Sequence, residues 1–193
     1  MDTRTQILQH IFEAIKLHGY QGLRTDKVIA ELGVTKGAFY HYFPDKQSVG
    51  YAVTDEIIAP MYIGNWSNLL TGNGSVLEHI LAAIQRQTCY VTDGNVHLGC
   101  PLNNLIQEMS PLDEGFRLRL RSIVERERAL IEAAIKFAMD AGELKPDVDP
   151  NSLALFILSA IEGCYSIAKS LQRKSVFDEG VVHLKAYLLS LKQ

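Results

Sequence analysis

The chain has 193 residues, 47% of them hydrophobic and 21% charged, with a formal net charge of −3 at pH 7. That length can bury a real core in one or two domains, and that charge excludes a protein holding nucleic acid by bulk electrostatics. No secretory leader is expected from the charged, amphipathic N-terminus, and no apolar run approaches the roughly 20 residues of a membrane span, because Glu162 stops the most apolar one, 153–161.

Residues 4–18 read as an amphipathic helix, with Ile7, Leu8, Ile11, Phe12 and Ile15 at helical spacing and Gly19 to Gly22 ending it. Residues 25–46 then read as two short helices hinged at Gly33, followed by the start of another. Thr25 is an expected N-cap, Asp26 suits the positive end of the helix dipole, and Val28, Ile29 and Leu32 form an apolar face. Gly33 supplies the left-handed residue that ends a helix cheaply. Thr35 opens a second helix, which ends near Phe43 because a residue before proline, here Pro44, is pushed out of the helical region. Asp45 caps the next helix, with Lys46 in its first turn.

This is the geometry of a helix-turn-helix, which lays its second helix in the DNA major groove. Ala38, Phe39 and Phe43 are placed to pack on the first two helices. Lys36, Gly37, Tyr40 and His41 point elsewhere, and each suits a polyanion. Lys36 is a donor at the end of a helix aimed into a groove, Gly37 lets backbone approach closely, and Tyr40 and His41 donate to phosphate oxygens. The competing reading is an ordinary amphipathic helix with a solvated lysine. Residues 1–50 carry six Lys/Arg against five Asp/Glu, and the remainder 13 against 17. A barely basic head on an acidic body fits binding through a few placed groups.

The rest reads as all helix. A helix over 45–59 is expected to be interrupted at Pro60. Another over 75–92 carries Val76, Leu77, Ile80, Leu81 and Ile84, with Ser75 and Glu78 as a capping box. A loop over 93–99 leads to a short helix over 101–110 and then one long helix over 111–141. Its Arg121/Glu125 and Arg128/Glu132 pairs mark a solvated face. Pro146 and Pro150 punctuate the loop before two last helices, 151–172 and 176–191.

Residues 4–50 closely resemble the DNA-binding domain of TetR-type transcriptional regulators. The resemblance rests on Gly19-Tyr20, Thr25, Ile29-Ala30, Gly33-Val34-Thr35, Lys36-Gly37, Tyr40 and Phe43-Pro44-Asp45-Lys46. It implies that Thr25 and Lys46 contact phosphates from two helix N-termini while Thr35, Lys36, Gly37, Tyr40 and His41 face the DNA. Tyr42 stands where many members have His, and Gln47 where Glu is common. Residues 99–110 resemble a segment of one broad subset of the same family. The implied fold is all-α with about nine helices. Residues 1–46 form a three-helix DNA-binding head, and 47–193 a larger ligand-binding and dimerisation body.

Such a body regulates by spacing. A dimer of heads must match one DNA turn, about 34–36 Å or a multiple, and a ligand worth about 1–3 kcal/mol of coupling shifts affinity about 5- to 150-fold. The helix over 45–59 is the natural lever. The last two helices are the expected homodimer surface, through Leu155, Leu158, Ala160, Ile161, Gly163, Ile167 and Ala168, and through Val181, Val182, Leu184, Leu188 and Leu191.

Trp66, Tyr90, Asn103, Phe137 and Tyr165, with Met109 and Phe156, are candidate contacts for a small, partly apolar effector. Cys100, before Pro101, is read two ways: a thiol activated by a helix N-terminus in an electrophile or oxidant sensor, or a small buried hydrophobe. Cys89 and Cys164 read as core, and the odd count of three indicates reduced, cytoplasmic thiols. The sequence holds no CxxC, HExxH, P-loop or dinucleotide fingerprint and no histidine pair at metal spacing. No catalytic residue, metal or cofactor is therefore expected, and an enzyme is not. The expectation is a cytoplasmic, homodimeric, effector-released repressor on double-stranded operator DNA, with no membrane partner. The alternatives are the thiol sensor and a constitutive architectural DNA binder.

Overall fold

The computed structural model describes residues 2–193, which form nine helices joined by short loops. Among the described residues the one strand-like feature is an isolated antiparallel bridge between Leu144 and Lys192. Helix α1, Thr3–His18, is capped by Asp2, whose carboxylate accepts the Thr5 N–H at 2.8 Å. Helix α2, Thr25–Leu32, departs from expectation at its start. Thr25 is the first helical residue; the cap position is Arg24, which caps nothing and instead pairs with Asp26 at 3.1 Å. Gly33, at φ +66°, ends it. Helix α3, Lys36–Tyr42, is capped as expected by Thr35, which accepts the Ala38 N–H at 3.1 Å. Phe43 leaves the helix at φ −135°, as the following proline requires.

Helix α4 begins at Lys46 on a reciprocal cap between Asp45 and Ser48. It does not stop at Pro60. Its segment Lys46–Val53 continues through a π-helical turn, Thr54–Ile58, into Ala59–Trp66. The wider π turn opens the spiral where the proline ring would otherwise meet the carbonyl of Glu56. Next come α5 (Val76–Tyr90), a 3-10 turn (Val96–Leu98), α6 (Pro101–Met109), α7 (Glu114–Asp140), α8 (Pro150–Leu171) and α9 (Lys174–Ser190). Helix α8 is, by length and composition alone, long and apolar enough to cross a bilayer, a test that a helix packed in a protein core also passes.

The chain packs as two compact units. One comprises residues 2–61 and 101–123. Its core holds Ile7, Ile11, Phe39, Val49, Val53, Phe116 and Leu120. The Phe116 ring lies 4.6 Å from that of Tyr20 and 4.9 Å from that of Tyr51. Gly50 makes this possible, because a Cβ there would run into the Tyr20 and Phe116 rings.

The other unit comprises residues 62–100 and 124–193. Its core joins Ile80, Ala83 and Ile84 of α5, Ile131, Ile135 and Ala138 of α7, Ala154 and Ile157 of α8, and Phe177 of α9. Helices α8 and α9 approach so closely at Gly180 that a Cβ there would collide with the Cys164 sulfur. Ser75 caps α5 as expected, accepting the Glu78 N–H at 3.4 Å. The carboxylate beside it, however, belongs to Glu143. It accepts the Ser75 hydroxyl at 2.6 Å and the N–H groups of Val76 and Leu77 at 3.1 and 3.0 Å.

Candidate nucleic-acid interface and effector-site residues

The first unit builds its outward face on a buried anchor. Phe39 is fully buried, with its ring 5.3 Å from Tyr40 and 6.1 Å from Phe43, which fixes the roll of α3. Thr35, Lys36, Gly37, Tyr40 and His41 are therefore all exposed on one short helix and its cap. Tyr42 is exposed too, its ring 5.3 Å from that of His41. Such a face offers an ammonium, a phenol and an imidazole, with no carboxylate among them to repel phosphate.

Two further predicted contacts sit at helix starts. Thr25 is half-buried at the first residue of α2. Lys46, at the first residue of α4, donates from Nζ to the Gln21 carbonyl at 3.1 Å and lies 5.0 Å over the Tyr20 ring. Burial pulls its pKa below the ordinary lysine value, and the nearby Glu108 charge opposes that pull. One of three ammonium donors is thus committed within the chain, leaving two for a phosphate. Gln47 donates from Nε2 to Asp113 at 2.6 Å and to the Tyr51 hydroxyl at 2.9 Å. A glutamate there would set two carboxylates against each other, which explains the amide at this position.

The second unit carries a polar group in an apolar interior. Trp66 is 1% exposed and donates from Nε1 to Glu127 at 3.0 Å, Glu127 itself being 4% exposed. Burial, reinforced by the charge of Glu162, pushes the Glu127 pKa up to about 8 against the indole hydrogen bond. Burial likewise pushes Glu162 up to about 7. The Cys100 thiol donates to Glu162 Oε1 at 3.2 Å and lies 3.1 Å from the Tyr62 hydroxyl. Tyr165 donates to Gln87 at 3.2 Å and holds its ring 4.6 Å from Phe177.

Of the predicted effector contacts, Trp66 and Tyr165 lie in this interior. Tyr90 is 64% exposed and Phe137 54%, so both face solvent in the single chain, as does Phe156. Asn103 and the buried Met109 belong to the other unit, on α6. Sequence reasoning missed Glu127 because it lies in the charged run Arg126-Glu127-Arg128, which reads as solvated. The i, i+4 series Ile123, Glu127, Ile131, Ile135 could have placed it on the buried face. Cys100 is 2% exposed with its proton directed at a carboxylate. That is the opposite of the exposed, electropositive setting that activates a thiol.

An all-helical chain presenting a capped helix with Lys36, Tyr40 and His41 outward over a buried Phe39 defines a helix-turn-helix DNA reader. Comparison with known proteins agrees. The family model "Bacterial regulatory proteins, tetR family" matches residues 7–49, and "Tetracyclin repressor-like, C-terminal domain" matches residues 76–184. The chain is 30% identical to the transcriptional regulator AcuR of Cereibacter sphaeroides over 166 residues, covering 84% of this chain and 72% of that protein. It is 27% identical to the HTH-type transcriptional repressor DhaR of Mycobacterium sp. over 185 residues, covering 91% and 89%. The crystal structure of reduced Escherichia coli NemR shares the fold, with a TM-score of 0.86 at 23% identity over 100% of this chain and 98% of that one. The chain belongs to the tetR family of DNA-binding transcriptional regulators. That family is one of regulators and not of enzymes, and its members bind operator DNA as homodimers.

Proposed function

We propose that this protein is a cytoplasmic repressor, released from its operator by a small, partly apolar effector. The exposed face of α3 carries the reading: Thr35, Lys36, Gly37, Tyr40 and His41 address the DNA, and Thr25 and Lys46 hold phosphates on either side. These contacts lie within residues 1–46, and residues 47–193 serve effector binding and dimerisation. Repression as the sign of control is supported by the relatives DhaR and NemR, both named as repressors.

The homodimer forms through α8 and α9. Leu155, Phe156, Ile167 and Leu171 on α8 and Val182, Tyr187 and Leu189 on α9 are exposed in the single chain, an apolar face that needs a cover. A second copy of the same two helices supplies it with two-fold symmetry. Ile161, Ala168, Val181, Leu184 and Leu188 are already buried within the chain, so only part of each helix face serves the partner.

The effector contacts Trp66 and Tyr165 in the interior of the second unit, where aromatic surface adjoins the Glu127 and Glu162 carboxyls. Trp66 is the single tryptophan, so its fluorescence reports occupancy. Small molecules that release the protein from its selected operator fragment should raise the operator Kd about 5- to 150-fold and shift Trp66 emission over the same concentrations. Release with unchanged Trp66 emission would place the effector elsewhere.

A further inference from the structure

The loop that joins α1 to α2 is held by a residue 88 positions away. Glu108, near the end of α6, accepts the Tyr20 N–H at 2.9 Å with one carboxylate oxygen and the Gln21 N–H at 2.7 Å with the other. The loop is shaped for this clamp. Gly19, at φ +73°, lies so close that a Cβ would stand 3.0 Å from both Glu108 oxygens. In the next peptide, Gln21–Gly22, the Gln21 carbonyl accepts from Lys46 Nζ at 3.1 Å. A single carboxylate thus holds the N–H side of Gln21, the residue whose carbonyl meets the lysine at the start of α4, and with it the loop that delivers the chain into α2. Helix α6 carries none of the groups assigned to DNA.

We infer that Glu108 is a positioning residue for operator binding: it sets Lys46, through residue Gln21, at the angle and distance required by a backbone phosphate. The inference rests on the proposed assignment of Lys46 to phosphate. Removing the clamp frees the loop to pivot, and the Lys46 ammonium then tracks a wandering carbonyl instead of a fixed one. The head keeps its α3 face, because Phe39 and Thr35 hold that helix independently.

The test is a salt titration of full-length protein on its selected operator fragment, with Glu108→Gln, Lys46→Met and the double variant. Each phosphate contact contributes about 0.9 to the slope of log K against log salt. Both single variants should bind at least tenfold more weakly, with a slope shallower by about 0.9 per subunit, and the double variant should show no further loss of slope. A Glu108 with only a structural role lowers affinity in parallel at every salt concentration. A wild-type slope in Glu108→Gln therefore overturns the inference, as does a wild-type slope in Lys46→Met, which would leave nothing to position. If Glu108→Gln does not fold, Glu108→Asp keeps the charge but retracts the carboxylate, and it must show the shallower slope. Wild-type protein that selects no fragment sinks the DNA assignment and this inference together; variants that keep the slope while wild type binds sink this inference alone.

Discussion

Burial favours the protonated form of a carboxyl group, and Glu127, 4% exposed, is such a group. Its unfolded-state value near 4.5 and its folded value of about 8 fix the sign of a pH effect. Between those two values the folded chain binds more protons than the unfolded chain, so stability falls as pH rises through that window. Glu162, raised to about 7, acts in the same direction. Thermal melts from pH 5 to pH 8 should show a falling midpoint, and Glu127→Gln should flatten that fall and melt higher than wild type at pH 8. A midpoint that rises with pH in wild type, or a slope untouched by the substitution, would show that Glu127 is ionised in the folded protein. Spacing and charge answer different questions for such a residue. The flanking Arg126 and Arg128 suggest a wet helix face, while the four-residue steps from Ile123 through Glu127 to Ile131 put Glu127 inside.

Helix boundaries are set by local chemistry where the capping partner is near in sequence. Thr35, Asp45 and Gly33 do what their residue types require, and α3 and α4 start where those residues stand. Where the partner is remote, sequence spacing misleads. The carboxylate at the start of α5 comes from Glu143, and no spacing rule brings residue 143 to residue 75. Glu143→Ala leaves two backbone N–H groups and a hydroxyl without their acceptor. Loss of such a cap costs about 1–2 kcal/mol, or about 2–8 °C in melting temperature for a chain of this size. Glu78→Ala, at the position a capping box would favour, should change it far less; equal losses would refute the assignment. Pro60 is the other case: a proline reads as a stop, yet a π turn just ahead of it lets α4 run on to Trp66.

At the scale of the whole molecule, the proposed DNA contacts are a handful of donors on a chain with net charge −3. On that proposal the affinity of one head is small, and two heads held at one helical repeat share the work. The helical class and the helix-turn-helix head were legible because they depend on short-range periodicity and caps. The burial of the aromatic residues was less so, because a large aromatic side chain looks the same in sequence whether it ends at 1% exposure, like Trp66, or 64%, like Tyr90. Dimerisation belongs to this scale as well. Ile167→Arg, on the exposed apolar face of α8, should convert the dimer to a monomer in sedimentation experiments and weaken operator binding at least tenfold while helicity stays unchanged. A dimer that persists in this variant would move the interface away from α8.

The most direct measurement is selection of bound fragments from the genome of the source organism, with wild-type protein and Lys36→Ala in parallel at about 0.15 M salt. The account predicts enrichment of specific fragments containing two-fold-related half-sites whose centres lie one helical turn or a multiple apart. It also predicts loss of that enrichment in Lys36→Ala with its thermal melt intact. Wild-type protein that enriches no fragment over bulk genomic DNA, or a Lys36→Ala profile indistinguishable from wild type, would contradict it.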